Sequence, residues 1–420
     1  MNQPFEISAA DRDILRRIAA TKVELAHSEI NQERRRAWLA HDTASPLRPM
    51  ILAESFDIRD SVKVFDPTRD LLCSGDWART IEHQLFVEIH RFANVADDHV
   101  IEPWYNLNWH VSATDYGLNK TVHTASNNGH LGANNWEPAL HDFDADFKKL
   151  HQREFSVDRP TTLATKEAVD KIIGDIIPTR IRGSFYWTMG MTIKAIDLIG
   201  LENLMLFMYD NPDGLHRLMS FLCEDAIAEA EWLEREELLS LNNENDYIGS
   251  GSEGYTCDLP QPDLQQGSPV RMKDCWVLSE SQETVGVGPD LFAEFIFPYQ
   301  QKIAEKFGKC YYGCCEPVDN RWHILKQLTN LARVSVSPWA NQEFMADACG
   351  RNIVFSRKPN PALISTAAFN EDAIRNDLRH TLQVARNCSL EIIMKDVHTL
   401  NNQPGRLKRW VELAREESQR

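Results

Sequence analysis

No stretch of this sequence is apolar for long enough to span a bilayer. Its start, Met1-Asn2-Gln3-Pro4-Phe5-Glu6, lacks the basic and then apolar pattern of a secretory leader. Positive charge is also scarce: 45 Lys and Arg residues stand against 62 Asp and Glu, for a net charge of -17. Nucleic acid or an anionic membrane surface would call for a basic face, so neither is an expected partner. The nine cysteines are odd in number and follow no secreted-scaffold spacing. A cytoplasmic protein with reduced thiols is expected. Internal repeats and low-complexity segments are missing as well. These absences leave an ordinary globular chain, 43% hydrophobic and 25% charged, with 420 residues for one large domain or two smaller ones.

Alternating strand and helix signals fill that length. Residues 10–40 read as a helix with a loose apolar stripe of Ile14, Ile18, Val23 and Leu25. Its charge run Glu33-Arg34-Arg35-Arg36 is a solvated face or an oligomer contact, which leaves room for a homodimer. Strands are expected at Met50–Ala53, His99–Glu102, Arg180–Phe185, Cys275–Leu278, Lys309–Tyr312, Arg333–Val336, Asn352–Phe355 and Ser389–Met394. Helical patterns lie at Trp77–Phe92, from about 192 to 239 with a break at Asp210-Asn211-Pro212-Asp213-Gly214, and at 290–307, 319–330, 341–349 and 371–386. A last helix starts at Pro404 with Leu407, Trp410, Val411 and Ala414 on its inner stripe. Eight strands each followed by helix fit an α/β fold of the (β/α)8 TIM-barrel type. The expected organisation is a helical extension over 1–45 and one barrel over 46–420. Two stretches, 106–159 and 241–274, exceed a minimal barrel and are expected as insertions on its active-site face.

Barrels carry their chemistry just past the carboxyl ends of strands. The most informative segment there is Lys309-Cys310-Tyr311-Tyr312-Gly313-Cys314-Cys315-Glu316. One cysteine alone is as readily a small buried apolar residue as a ligand. Two side by side at a strand end favour a reactive or metal-binding site. Thiolate, imidazole and carboxylate on separate strands suit zinc, which makes Cys314 or Cys315, His398, and Glu280 or Glu283 the candidate donors. A strand-capping role for His398 and a solvated loop for the two glutamates are the bland alternatives. Glu280, Glu283 and Asp396 are the candidate acid–base groups. Trp104, Tyr105, Asn106, Trp109, Tyr186, Trp187, Tyr312 and Trp339 also fall at expected strand ends. An aromatic ring there suits an apolar or methylated-ammonium ligand, with Arg357 as a further binding residue.

These residues resemble the uroporphyrinogen decarboxylase superfamily from about residue 180 onward. Gly183-Ser184-Phe185-Tyr186-Trp187, Leu198-Ile199-Gly200-Leu201-Glu202-Asn203-Leu204 and Asn211-Pro212 are similar to that family's third strand and the helices after it. Phe297-Pro298-Tyr299-Gln300 through Glu316 resembles its Pro-Tyr … His-x-Cys-Gly-Asp segment. Tyr312 stands at the histidine position, Cys314 at the cysteine and Cys315 at the glycine. The decarboxylase branch carries an arginine-rich motif near its start, whereas this chain has Met50-Ile51-Leu52-Ala53-Glu54-Ser55-Phe56. The resemblance therefore implies the branch of zinc-dependent methyltransferases that work with corrinoid proteins. No Asp-x-His-x-x-Gly corrinoid signature occurs in the chain, so the corrinoid (cobalamin) would sit on a partner protein. The expected reaction moves an O- or N-methyl group between a small methylated substrate and that corrinoid. The alternative is a metal-independent decarboxylase or lyase in which Arg180, Arg182, Arg357 and Lys358 hold carboxylates and Glu280 or Asp396 delivers a proton. A non-catalytic ligand-binding barrel is a third reading.

Overall fold

A computed structural model describes residues 5–43, 45–56, 58–124, 134–183 and 188–420. Its centre is a six-stranded parallel sheet. Numbering the parallel strands in chain order, β1 is Met50–Ala53, β2 Tyr105–Asn108, β3 Thr179–Arg182, β4 Trp276–Ser279, β5 Lys309–Tyr312, β6 Leu331–Val336, β7 Val354–Arg357 and β8 Leu390–Met394. The sheet order is β1-β8-β7-β6-β5-β4, and β2 pairs with β3 in a separate parallel ladder. Beyond β3, a bridge from Thr188 to Leu278 and a 2.8 Å bond from Met189 N–H to the Leu278 carbonyl lead onto β4. Helices lie between the strands, as an α/β fold requires.

The ring expected from the strand count is not closed among the described residues, since no ladder joins β1 to β2. The reason is chemical. The Ile51 N–H donates to Asp98 Oδ2 at 2.8 Å, and the Ala53 N–H donates to Asp97 Oδ2 at 3.0 Å. Two buried carboxylates thus occupy the edge where a neighbouring strand would bond. The expected strand His99–Glu102 is a loop for the same reason. Asn31 takes both backbone groups of Ile101, its Oδ1 accepting the N–H and its Nδ2 donating to the carbonyl, each at 2.9 Å. β2 forms a few residues later, at Tyr105–Asn108.

The expected first helix is two, Ala9–His27 and Glu29–His41, separated at Ser28. Ser8 caps the first helix by accepting the Asp11 N–H at 3.0 Å. Alternation in the strands splits the apolar residues into two sets. Ile51, Val277, Cys310, Tyr312, Val334, Phe355, Ile392 and Met394 join the large cluster under the helices. Leu52 and Ile393 form one cluster on the opposite face, and Leu278 and Tyr311 another.

The two long insertions take different positions in their described residues. In 106–159, the first residues form most of β2. Later described residues pack on helices Thr192–Ile199 and Pro212–Arg235, with Lys120 pairing with Asp197, Tyr116 Oη donating to Asp225 at 2.9 Å and Arg153 pairing with Asp225 and Glu229 at 2.6 Å. In 241–274, the hairpin Tyr247–Gly249/Ser252–Glu253 enters the space enclosed by the inward faces of the strands. A Cβ on Gly249 would stand 2.6 Å from the Tyr311 ring, and one on Gly251 would stand 2.6 Å from Ile393, so only glycine fits. The two-residue turn Ser250-Gly251 has positive φ at both positions, the geometry of tight hairpins. Among the described residues no helix is long and apolar enough to cross a membrane.

Candidate active site

The hairpin turn is the floor of the site. Above it, β5 ends at Tyr312 and Gly313 turns the chain at φ +95, where a Cβ would press against Ser335. That turn carries Cys314 and Cys315 past the sheet, with their sulfurs 3.6 Å apart. Glu316 fixes the turn, accepting the N–H of Cys314 and the N–H of Ser281, each at 2.9 Å. From the end of β8, Lys395 Nζ reaches Cys314 Sγ at 3.5 Å and Ser250 Oγ at 3.3 Å. Asp396 Oδ2 lies 3.5 Å from Cys315 Sγ and its Oδ1 lies 3.5 Å from Lys395 Nζ. Glu54, the first residue after β1, faces the same turn, and its Oε2 is buried with no hydrogen-bond partner.

The electrostatics separate the two cysteines. The two sulfurs share a hydrogen bond, and that bond with the Lys395 ammonium outweighs burial, holding the Cys314 thiol down at about 6. The same hydrogen bond, with burial, drives the Cys315 thiol upward. Cys314 is therefore the more readily ionised of the two thiols. Burial alone would lower the Lys395 ammonium, but Cys314, Asp396 and Glu54 around it raise it instead. Burial pushes Glu54 up to about 7 against the pull of Lys395. Lys358 points inward from the end of β7, donating to Tyr311 Oη at 2.9 Å and to Ser356, and burial lowers it to about 7. A thiolate, an ammonium and a carboxyl that is about half protonated thus share one mouth near pH 7.

The structure brings together Cys314, Cys315 and Asp396 from the sequence-based candidates. Glu280 lies one strand away, with Oε1 accepting from Thr188 Oγ1 at 2.6 Å and Oε2 from the Gln282 N–H at 3.0 Å. Burial, then Glu316 and Glu283, raise its carboxyl to about 8. Glu283 accepts from Thr192 Oγ1 at 2.6 Å, facing a helix. His398 is exposed, because the chain turns away from the mouth at Asp396 with φ +56 and buries Val397 instead. Tyr312 points outward by strand alternation, its Oη donating to Gln300 Oε1 at 2.9 Å beneath the helix Phe297–Ala304. Arg357 also points outward, to Asp377 at 3.5 Å and Thr381.

The expected aromatic ring is not assembled among the described residues. β2 starts at Tyr105, so Trp104, Tyr105 and Asn106 lie at its amino end and not past its carboxyl end. Arg180 stacks on Trp104 at 5.2 Å, donates to Asn106 Oδ1 and pairs with Glu102 at 2.8 Å. Tyr105 packs with Leu15, Ala19 and Leu85. Trp109 sits under the Arg159 guanidinium at 5.2 Å, against Leu233, Leu238 and Leu239. Trp339 follows β6 but is 70% exposed. Tyr186 and Trp187 lie outside the described residues.

No protein-family model matches the chain, and no curated protein matches it. Among solved structures, a methyltransferase from Methanosarcina mazei is similar over 91% of this chain and 98% of its own, at 12% identity and a TM-score of 0.49. A likeness that distant carries no argument about this chain's chemistry.

The zinc set expected from the sequence does not fit the geometry. Zinc needs several deprotonated donors around one point. Among the described residues no group of three or more His, Cys, Asp or Glu side chains could hold a metal ion. His398 faces solvent, Glu280 is engaged with Thr188 and Gln282, and an ammonium already stands beside Cys314. Three site residues had no assigned role in the sequence reading: Glu54, Ser250 and Lys395. Glu54 and Lys395 carried a signal, each being a charged residue directly after a run of apolar strand residues. Ser250 carried none, since only the fold places that hairpin between the strands.

Proposed function

We propose that the protein is a methyltransferase that handles the methyl group of a small methylated substrate at the Cys314 thiolate. The observation that carries this reading is that thiolate, held beside the Lys395 ammonium at the carboxyl end of a parallel sheet. A thiolate is a strong nucleophile towards carbon, and lowering its pKa keeps it ionised at neutral pH. In such a transfer the sulfur forms a bond to the methyl carbon as the bond to the substrate's oxygen or nitrogen breaks. Glu54, still partly protonated near pH 7, is placed to deliver the proton that the departing group requires. Lys395 stabilises the thiolate before attack and is held by Asp396 as that charge is spent. This reading takes the eight parallel strands as a (β/α)8 barrel opened at the seam between β1 and β2. Exchange with a corrinoid on a separate protein is the acceptor chemistry that the sequence resemblance implies.

The lyase alternative loses its carboxylate-binding arginines. Arg180 is paired with Glu102, Arg182 with Asp246 at 2.8 Å and Arg357 with Asp377. The test mixes the protein with a reduced corrinoid protein and a panel of methoxylated and methylamine substrates, and follows the corrinoid's visible spectrum. Substrate-dependent methylation that disappears in Cys314→Ser is expected. Carbon dioxide release from a carboxylated substrate, unaffected by Cys314→Ser, would replace this reading with the lyase one.

A further inference from the structure

The seam that leaves β1 without a strand on its second edge also borders a polar cavity. It has a volume of about 290 Å³ and lies between helices Glu29–His41 and Gly405–Ser418, with Ile51 of β1 at its back. Arg34, Arg48 and Arg415 line it, and the carboxylates in its wall are Asp98 and the exposed Glu33. No residue of the Cys314 cluster takes part.

Asp98 has no capacity left to neutralise these arginines further. Its Oδ1 accepts from Arg48 at 3.1 Å and Arg415 at 2.9 Å, and its Oδ2 accepts from Arg48 at 2.7 Å and the Ile51 N–H at 2.8 Å. Four donors fill the lone-pair positions of one carboxylate. Arg34 is only 3% exposed and its guanidinium lies over the Phe92 ring at 4.3 Å, yet it makes one hydrogen bond, from Nη1 to the His99 carbonyl at 3.1 Å, and its Nε has no hydrogen-bond partner. An unsatisfied buried guanidinium is costly unless something else answers it. The other nearby carboxylate, Asp97, is held by Arg91 at 2.6 Å. Three guanidinium groups against Asp98 and Glu33 leave one net positive charge around an open space, in a chain whose net charge is -17.

We propose that this cavity binds a phosphate monoester. Arginine forks match the geometry of phosphate oxygens, and donors arriving from two helices and the loop before β1 suit an acceptor with several oxygens better than a planar carboxylate. Ile30 and Ile51 supply an apolar wall for a short organic tail. Ser418 on the last helix is a neutral hydrogen-bonding group at the rim.

The test is calorimetric titration of the full chain with glycerol 3-phosphate and inorganic phosphate, at ionic strength matched with chloride. Saturable binding of glycerol 3-phosphate is expected. Arg415→Gln, which removes one charge-assisted partner, is expected to weaken it by roughly ten- to a hundredfold. Glu33→Gln changes an exposed side chain and removes the competing charge, so it should tighten binding whether or not the arginine variant folds well. Absence of saturable glycerol 3-phosphate binding, saturation by inorganic phosphate alone, or an affinity unmoved by Glu33→Gln would each overturn the proposal.

Discussion

The two ends of the parallel sheet carry the same residue types in opposite states. Glu391, near the start of β8, is fully buried and lies 3.4 Å from Arg333 and 3.7 Å from His41. Burial alone would raise its carboxyl, but His41, Arg333 and Lys358 hold it down at about 2. Glu54, just past the end of β1, is pushed up to about 7 because burial exceeds the help it receives from Lys395. Cysteine shows the same contrast on one strand. Burial raises Cys310 in β5 to about 12, whereas Cys314 four residues later sits at about 6. Charges at the amino end are answered within the fold, while those at the carboxyl end are left partly unanswered. That second condition is what chemistry requires.

The comparison is sharpest at Arg333. Its guanidinium donates to Ser252 at 2.8 Å, to the Tyr255 carbonyl at 2.9 Å and to Glu253, and pairs with Asp42 at 3.3 Å. Arg333→Ala would take from buried Glu391 its 3.4 Å guanidinium partner, leaving His41 and Lys358 alone to hold the charge, and free the base of the internal hairpin. We expect a loss of about 3–5 kcal/mol in chemical denaturation. A loss below about 1 kcal/mol would show that the amino end is not a structural anchor.

The hairpin itself offers a smaller break. Gly249→Ala places a Cβ against the Tyr311 ring and Leu278, and should cost about 1–3 kcal/mol through overpacking. Limited proteolysis of the native chain should then leave 247–253 intact, since this segment lies between strands and not over them. Early cleavage there would return the segment to the surface.

A third prediction turns to the carboxyl end. Reaction of Cys314 with iodoacetamide should rise with pH through about 6 and level off, well below the range of an ordinary thiol. Lys395→Met removes the ammonium and should shift that midpoint upward, slowing the reaction at pH 6.5 by about tenfold. Mass spectrometry of the modified peptide distinguishes Cys314 from Cys315. Equal labelling of the two across this range would remove the distinction between the two thiols.

Most strands were legible in the sequence because apolar runs such as Met50–Ala53 and residues 392–394 are buried on both faces. The missed strand shows the limit. His99–Glu102 has the composition of a strand, but Asn31 and two aspartates, distant or polar, claim the hydrogen bonds a strand would use. The site was legible where position alone decides it, at Cys314 and Cys315 past β5 and at Asp396 past β8. It was not legible where alternation or a distant partner decides. Tyr312 faces out because Tyr311 faces in, and Arg357 is spent on Asp377, twenty residues away. The aromatic candidates failed with β2, whose start moved them to the opposite end.

The smallest effect expected is also the one that ties site to stability. Glu54 has a carboxyl raised from 4.5 to about 7 in the folded protein, so the folded state holds its proton more tightly than the unfolded chain does. The stability this gives is fully present below about pH 4.5 and is lost as pH rises through about 7. Glu54→Gln keeps the neutral shape and cannot ionise. It should therefore match the parent chain at pH 4 and exceed it by about 1–2 kcal/mol at pH 8.5, the gain being limited by the solvent that reaches this half-buried side chain. The same variant cannot deliver a proton, so the methyl-transfer rate should fall at neutral pH where the fold is firmer. Parallel denaturation curves at the two pH values decide the point. If the variant's advantage is the same at both, Glu54 is already ionised at low pH, and its burial above the Ser250-Gly251 turn is an ordinary structural contact and not part of a proton-delivering mouth.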